Sequence, residues 1–154
     1  MKPLVYLCGP IAGLTYDQAR HGWRRNIARM LSPDVAVLSP MRQEGHLAEL
    51  GDAALPTFAP NDRAIATQRA IVAKDLLDIR RCDLVLANFK GALTVSIGSV
   101  FELGYARAMR KPVVLVMDSP NPHEHLFIKE CADVSTDSLE HAAHIIRSLL
   151  VPGV

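Results

Sequence analysis

The chain has 154 residues, 49% of them hydrophobic and 21% charged, and a formal net charge of +1 at pH 7. That is the length and composition of one globular domain with one core, read here as residues 1–154. A charge so near zero argues against a nucleic-acid polymer as partner, while leaving a single nucleotide open as a ligand.

Residues 4–8, Leu-Val-Tyr-Leu-Cys, form an apolar run stopped by Gly9-Pro10, which predicts a buried strand. Thr15 and Gln18 make a capping-box pattern, and Ala19, Trp23, Ile27 and Leu31 recur every four residues. Together they predict one helix, ended by Ser32-Pro33. Residues 35–38 predict a second strand. Residues 41–60 lack periodicity and hold Gly45, Gly51, Pro56 and Pro60; so long a loop in a compact domain is usually functional or mobile. Asn61 is placed to cap a helix running to about Arg80, with Ile65, Val72, Leu76 and Ile79 as its stripe. A third strand over 83–89 leads to the run 96–106, which opens a helix ending near Arg110. A fourth strand over 112–117 precedes a loop with Asn121, Pro122, His123 and His125. A weak strand near 132–134 and a helix capped by Asp137 follow. Strands alternating with helices argue for an α/β fold: a doubly wound, flavodoxin-like parallel sheet of about five strands with helices on both faces. In such sheets ligands bind where the carboxyl ends of neighbouring strands border a crevice, here the first and third.

Glu102 falls just past the small-residue turn of that crevice. Ser99, three residues ahead of it, makes a capping-box pattern, and a helix amino end favours an ionised carboxylate, as a nucleophile requires. Cap and nucleophile are compatible readings. Asp75, at about 100° per residue, lies between Ile71 and Ile79 at the edge of the apolar stripe. It is either an ion pair, to Arg80 or Lys111, or a second carboxylate of the crevice, since paired carboxylates in distinct environments perform glycosidic chemistry. Asp78 lies further round, towards solvent. Tyr6 is either a core aromatic or a phenol that orients a carboxylate. Gly9 and Gly13 allow close backbone approach to a ligand without forming GxGxxG. Ser96, Gly98 and Ser99 offer hydroxyls and free N–H groups suited to an anion or a sugar hydroxyl, or serve as plain turn residues.

His123 and His125, two apart and without a third ligand, read as a polar loop near a subunit contact, so no metal is expected. Cys8, Cys82 and Cys131 lack CxxC spacing, which argues against a zinc site or disulfide framework. No signal segment opens the chain and no apolar run approaches about 18 residues. The expectation is a cytoplasmic protein without a membrane partner.

The segments Tyr6-Leu7-Cys8-Gly9-Pro10-Ile11, Lys74-Asp75-Leu76 and Gly98-Ser99-Val100-Phe101-Glu102-Leu103-Gly104-Tyr105-Ala106, continuing through Val113, resemble the nucleoside 2-deoxyribosyltransferase superfamily. The motifs fall in order across residues 4 to about 126. The resemblance implies that Glu102 attacks C1′ of a deoxyribose, that Asp75 assists the departing base and that Tyr6 positions Glu102. It also implies Gly9, Pro10, Ile11, Ser96, Gly98, Ser99 and Asn121 as substrate-binding residues. The implied partners are a deoxynucleoside or deoxynucleotide and a nucleobase, with no metal or organic cofactor. The implied assembly is a homo-oligomer, a dimer or larger, with a shared site to which the Asn121–His125 loop contributes. Ser96 stands where many transferases carry aspartate and resembles the branch that hydrolyses deoxynucleoside 5′-monophosphates. Base exchange is the first expectation, monophosphate hydrolysis the alternative and a non-catalytic nucleotide-binding module the third.

Overall fold

The computed structural model describes residues 1–58 and 67–153. Five parallel strands form one sheet in the order β2-β1-β3-β4-β5. They are β1 (Leu4–Cys8), β2 (Ala36–Leu38), β3 (Leu84–Asn88), β4 (Val113–Val116) and β5 (Val134–Thr136). The helices are α1 (Tyr16–His21), α2 (Trp23–Leu31), α3 (Gln68–Arg81), α4 (Ile97–Ala108), α5 (Leu126–Cys131) and α6 (Leu139–Leu150). This is the doubly wound α/β layout expected, and β1 and β3 are neighbours, with Cys8 opposite Ala87.

Strand alternation decides what each helix covers. Side chains two apart share a face. Tyr6 and Cys8 of β1 therefore lie with Val85, Ala87, Val113 and Leu115 against Ile79 of α3 and Leu103 and Ala106 of α4. Val5 and Leu7 lie on the other face with Leu84, Leu86 and Val114, against Ile27 of α2 and Ile146 of α6. Ile79 and Leu103 are wholly buried. Each such side chain contributes about 1.5–3 kcal/mol, enough to fix α3 and α4 on the face that Tyr6 occupies.

The structure corrects several local expectations. The first helix is two, α1 and α2, broken at Gly22, where an added Cβ would lie 2.6 Å from Gln18 O. The Thr15–Gln18 capping box is present at the start of α1. Helix α3 is capped by Thr67, whose hydroxyl accepts the Ala70 N–H at 3.1 Å; the proposed cap Asn61 and stripe residue Ile65 lie outside the described residues. Helix α6 is capped by Ser138 rather than Asp137. Strand β5 begins later than expected, and α5 fills the stretch between the expected loop and that strand, for which the sequence pattern predicts no element.

The described part of the long connection is anchored. It carries a 3-10 turn over Gly45–Leu50. Met41 and Leu55 pack on Ala19 of α1. Gly13 N–H donates to Leu55 O at 2.9 Å and Leu55 N–H to Leu14 O at 2.7 Å.

Candidate active site

Three elements converge at the carboxyl end of β1. Tyr6 is fully buried, and its hydroxyl donates to Glu102 Oε1 at 3.0 Å. Cys8, also buried, donates to Ser99 O at 3.4 Å and so ties β1 to the first turn of α4. The chain then leaves the sheet through Gly9, where a Cβ would lie 2.7 Å from Asn88 O and 3.0 Å from the Trp23 ring. Only glycine permits that approach. The Arg24 guanidinium closes the turn from behind, donating to Gly9 O and Ala19 O, both at 2.8 Å. Burial lowers its pKa to about 10, so it stays a cation at neutral pH.

The cleft above has a volume of about 430 Å³, and Gly9, Pro10 and Ile11 form one wall. Asp75 of α3 and Glu102 of α4 both line it. Burial, followed by the charge of Asp75, pushes Glu102 up to about 7; hydrogen bonds from Cys8 and Tyr6 and the charge of Arg24 pull the other way. Burial likewise pushes Asp75 up to about 6, opposed by Lys74. Asp75 Oδ1 is buried without a hydrogen-bond partner and stands 3.6 Å from Lys74 Nζ. Two interacting carboxyls with pKa values this close titrate as a pair. Between about pH 6 and 7 the pair holds one proton, which the lower value of Asp75 places mainly on Glu102. Moving it to Asp75 gives the ionised Glu102 and protonated Asp75 that nucleophilic attack and leaving-group protonation use. Burial also pushes the Tyr6 phenol up, so it remains a donor.

Several electrostatic expectations need revision. The cation beside Asp75 is Lys74; Lys111 instead donates to Cys82 O at 2.7 Å. Asp78 does not face solvent. It is fully buried, paired with Arg42 and, at 2.9 Å, with Arg81. Glu44 was not anticipated. It lines the cleft, its side chain 17% exposed, with Oε1 3.6 Å from Lys74 Nζ. It comes from the stretch without periodicity, so the sequence gives no signal for it.

The start of α4 differs as well. Its N-cap is Ser96, not Ser99, and Glu102 is the sixth helical residue rather than a capping partner. Ser99 is buried, with its hydroxyl 2.9 Å from that of Ser96. Ser96, Gly98 and Ser99 all line the cleft. The Ser96 N–H is not free, because it donates to His123 Nε2 at 2.8 Å. Asn121 is absent from the lining; its side-chain amide donates to Phe89 O at 2.8 Å and to Asp118 at 2.6 Å. His125 caps α5. No cluster of three or more His, Cys, Asp or Glu suited to a metal occurs among the described residues, and no helix among them is long and apolar enough to cross a membrane.

A family model described as nucleoside 2-deoxyribosyltransferase matches residues 5–144. No curated protein sequence matches the chain significantly. Among solved structures, a conserved protein from Enterococcus faecalis V583 has a TM-score of 0.67 at 20% identity, covering 97% of this chain and 100% of that one. A CMP N-glycosidase, BcmB, from Clostridium botulinum has a TM-score of 0.57 at 17% identity, covering 96% of this chain and 99% of that one. A molybdenum cofactor binding protein from Rippkaea orientalis has a TM-score of 0.60 at 18% identity, covering 98% and 99%. These three likenesses establish a shared fold.

Proposed function

The chain belongs to the nucleoside 2-deoxyribosyltransferase family, and from that premise we propose that it cleaves the N-glycosidic bond of a 2′-deoxynucleoside and transfers the deoxyribosyl group to another nucleobase. The observation that carries this reading is the pair of enclosed carboxyls, Glu102 and Asp75, facing one cleft with the Tyr6 hydroxyl on Glu102.

In the first step Glu102 Oε attacks C1′. The C–N bonding pair leaves with the base, which takes the Asp75 proton, and a glycosyl ester forms on Glu102 through an oxocarbenium-like state. In the second step a nitrogen of the incoming base attacks C1′ and yields its proton to Asp75, and Glu102 departs. Two inversions retain configuration. Tyr6 holds the attacking carboxylate and then stabilises it as a leaving group. Ser96 faces the 5′ side of the sugar.

The charged lining residues among those described are Glu44, Asp75 and Glu102, all acidic. That supports a neutral nucleoside over a 5′-monophosphate. The second reading, monophosphate N-hydrolysis, draws on Ser96 and the amino end of α4, which suits an anion. The third, a binding module without turnover, draws on the fold shared with the molybdenum cofactor binding protein. Leu93, Val95, Ile97 and Phe101 are exposed, three of them at the cleft. Such a patch supports a homo-oligomer that shares its site, for which solution mass is the measure. We place the enzyme in the cytoplasm.

The experiment incubates the protein with deoxynucleosides and their monophosphates, with and without a second free base. Exchange product from the nucleoside, loss of exchange in a folded Glu102→Ala variant and a sugar adduct on Glu102 by mass spectrometry are expected. Base released only from the monophosphate, with no exchange, selects the hydrolase. Binding with neither adduct nor turnover selects the module.

A further inference from the structure

We infer that His123, braced by Asn121, is a positioning residue that holds Ser96 where it meets the 5′ end of the substrate's sugar. The inference rests on the nucleoside reading of the cleft.

His123 lies 27 positions from Ser96 in sequence and is 2% exposed. Its ring stacks on Phe89, just past the end of β3, with centroids 4.1 Å apart and planes 8° from parallel. Nε2 accepts the Ser96 N–H at 2.8 Å, so the ring proton sits on Nδ1, which lies 3.2 Å from Asn121 Oδ1 and donates to it. That same oxygen accepts the His123 N–H at 2.9 Å, while the Asn121 amide nitrogen is spent on Phe89 O and Asp118. Every polar atom of the imidazole is therefore used in its neutral form, and burial lowers its pKa, which keeps it neutral. A buried ring that only filled space would carry no polar atoms to satisfy; this one spends an acceptor on a backbone amide.

Among the described residues little else restrains that amide. Ser96 is the N-cap of α4, yet its hydroxyl caps no helical N–H and turns to Ser99 instead. Leu93, Val95 and Ile97 are 93%, 52% and 82% exposed, so side-chain packing does not anchor the segment. The same segment forms one wall of the cleft through Thr94, Val95 and Ser96. The clasp Phe89–His123–Ser96 thus fixes the wall to the sheet. It also withdraws the Ser96 N–H from the cleft and leaves its hydroxyl to meet the ligand.

The test compares His123→Phe, which keeps a flat ring against Phe89 without the acceptor, with His123→Gln, whose carbonyl can restore it. Both are assayed for base exchange with a 2′-deoxynucleoside and with its 2′,5′-dideoxy counterpart, which lacks the hydroxyl that Ser96 would meet. The Phe variant is expected to raise KM for the hydroxylated substrate about tenfold, the worth of one hydrogen bond. Its kcat, and its KM for the dideoxy substrate, should stay near wild type. The Gln variant should recover most of the loss, and hydrogen exchange at the Ser96 amide should quicken in the Phe variant alone. Equal losses on both substrates, or an unchanged KM, would overturn the inference. Should the Phe variant fail to fold, Asn121→Ala, which loosens the ring without removing it, takes its place with the same expectations. If the wild-type protein exchanges bases on neither nucleoside, the functional reading fails. The clasp is then decided by Ser96 amide exchange, faster in the variant if it holds and unchanged if it does not.

Discussion

Replacing Glu102 by glutamine should stabilise the protein at neutral and alkaline pH and leave it unchanged in acid. The folded chain raises the Glu102 pKa from its ordinary 4.5 to about 7. A group raised on folding binds its proton more tightly in the native state. Its favourable contribution is therefore complete below the unfolded value and is lost as pH climbs through the folded one. At about 1.36 kcal/mol per pH unit, the rise corresponds to about 3 kcal/mol. Glutamine mimics the protonated carboxyl, still accepts the Tyr6 hydroxyl and never ionises. The variant should thus match wild type below about pH 4.5, exceed it by roughly 1 kcal/mol at pH 5 and show nearly the whole gain by pH 7. In a domain of this size that is a rise of about 6–12 °C in Tm. Thermal or urea unfolding of both proteins across this pH range measures it. A variant less stable than wild type at pH 8, or a gain of equal size at every pH, would refute the claim that burial dominates this carboxyl.

Three further substitutions probe the neighbours. Asp75→Asn should cut kcat by about 10²–10⁴, the usual worth of a positioned general acid. It should do far less to a nucleoside whose base departs without protonation, as steady-state rates on the two substrates will show. Tyr6→Phe removes a hydrogen bond that pulls the Glu102 pKa down. Its kcat should fall about ten- to a hundredfold, and the pH at which activity rises should move upward in a pH–rate profile. Gly9→Ala forces a Cβ to within 2.7 Å of Asn88 O; overpacking of that kind costs about 1–3 kcal/mol, read from denaturant midpoints.

What the sequence makes legible follows from how local each signal is. The apolar runs of β1, β3 and β4 and their alternation already place Tyr6 and Cys8 on one face, because side-chain direction in a strand needs no information from elsewhere. That α3 and α4 cover that same face does need it, and periodicity within each helix does not carry it. Asp78 was misplaced for the same reason: its helical angle is right, but its partner Arg42 arrives from 36 residues away. Glu44 sits in a stretch whose pattern carries no period at all. The start of α4 was misplaced by three residues because Ser96 and Ser99 are equally good caps on paper. The buried imidazole of His123 distinguishes them, since it secures the Ser96 amide.

A helix terminus and an enclosed cleft pull Glu102 in opposite directions, and their magnitudes decide the outcome. A helix macrodipole contributes about 0.3–1 kcal/mol and fades beyond the first turn. Glu102, as the sixth residue of α4, lies past that turn. The surroundings, burial first among them, oppose ionisation there by about 3 kcal/mol net, so the expected constantly ionised nucleophile is replaced by a carboxyl poised near neutrality. The charge of Asp75 is the second cause of that rise. It follows that Glu102 ionises most readily when Asp75 keeps its proton, and that proton is the one a departing base would take. Repulsion disfavours only the doubly ionised pair; with Asp75 near 6 and Glu102 near 7 the shared proton rests mainly on Glu102, so the proposed mechanism runs from the minor arrangement in which Asp75 holds it. The pH–rate profile should then be a bell centred between about pH 6 and 7, with limbs belonging to the pair. In Asp75→Asn the limb for Glu102 should shift to lower pH, because the repelling charge is gone. A limb that stayed in place, or moved up, would show that the two carboxyls do not share the proton.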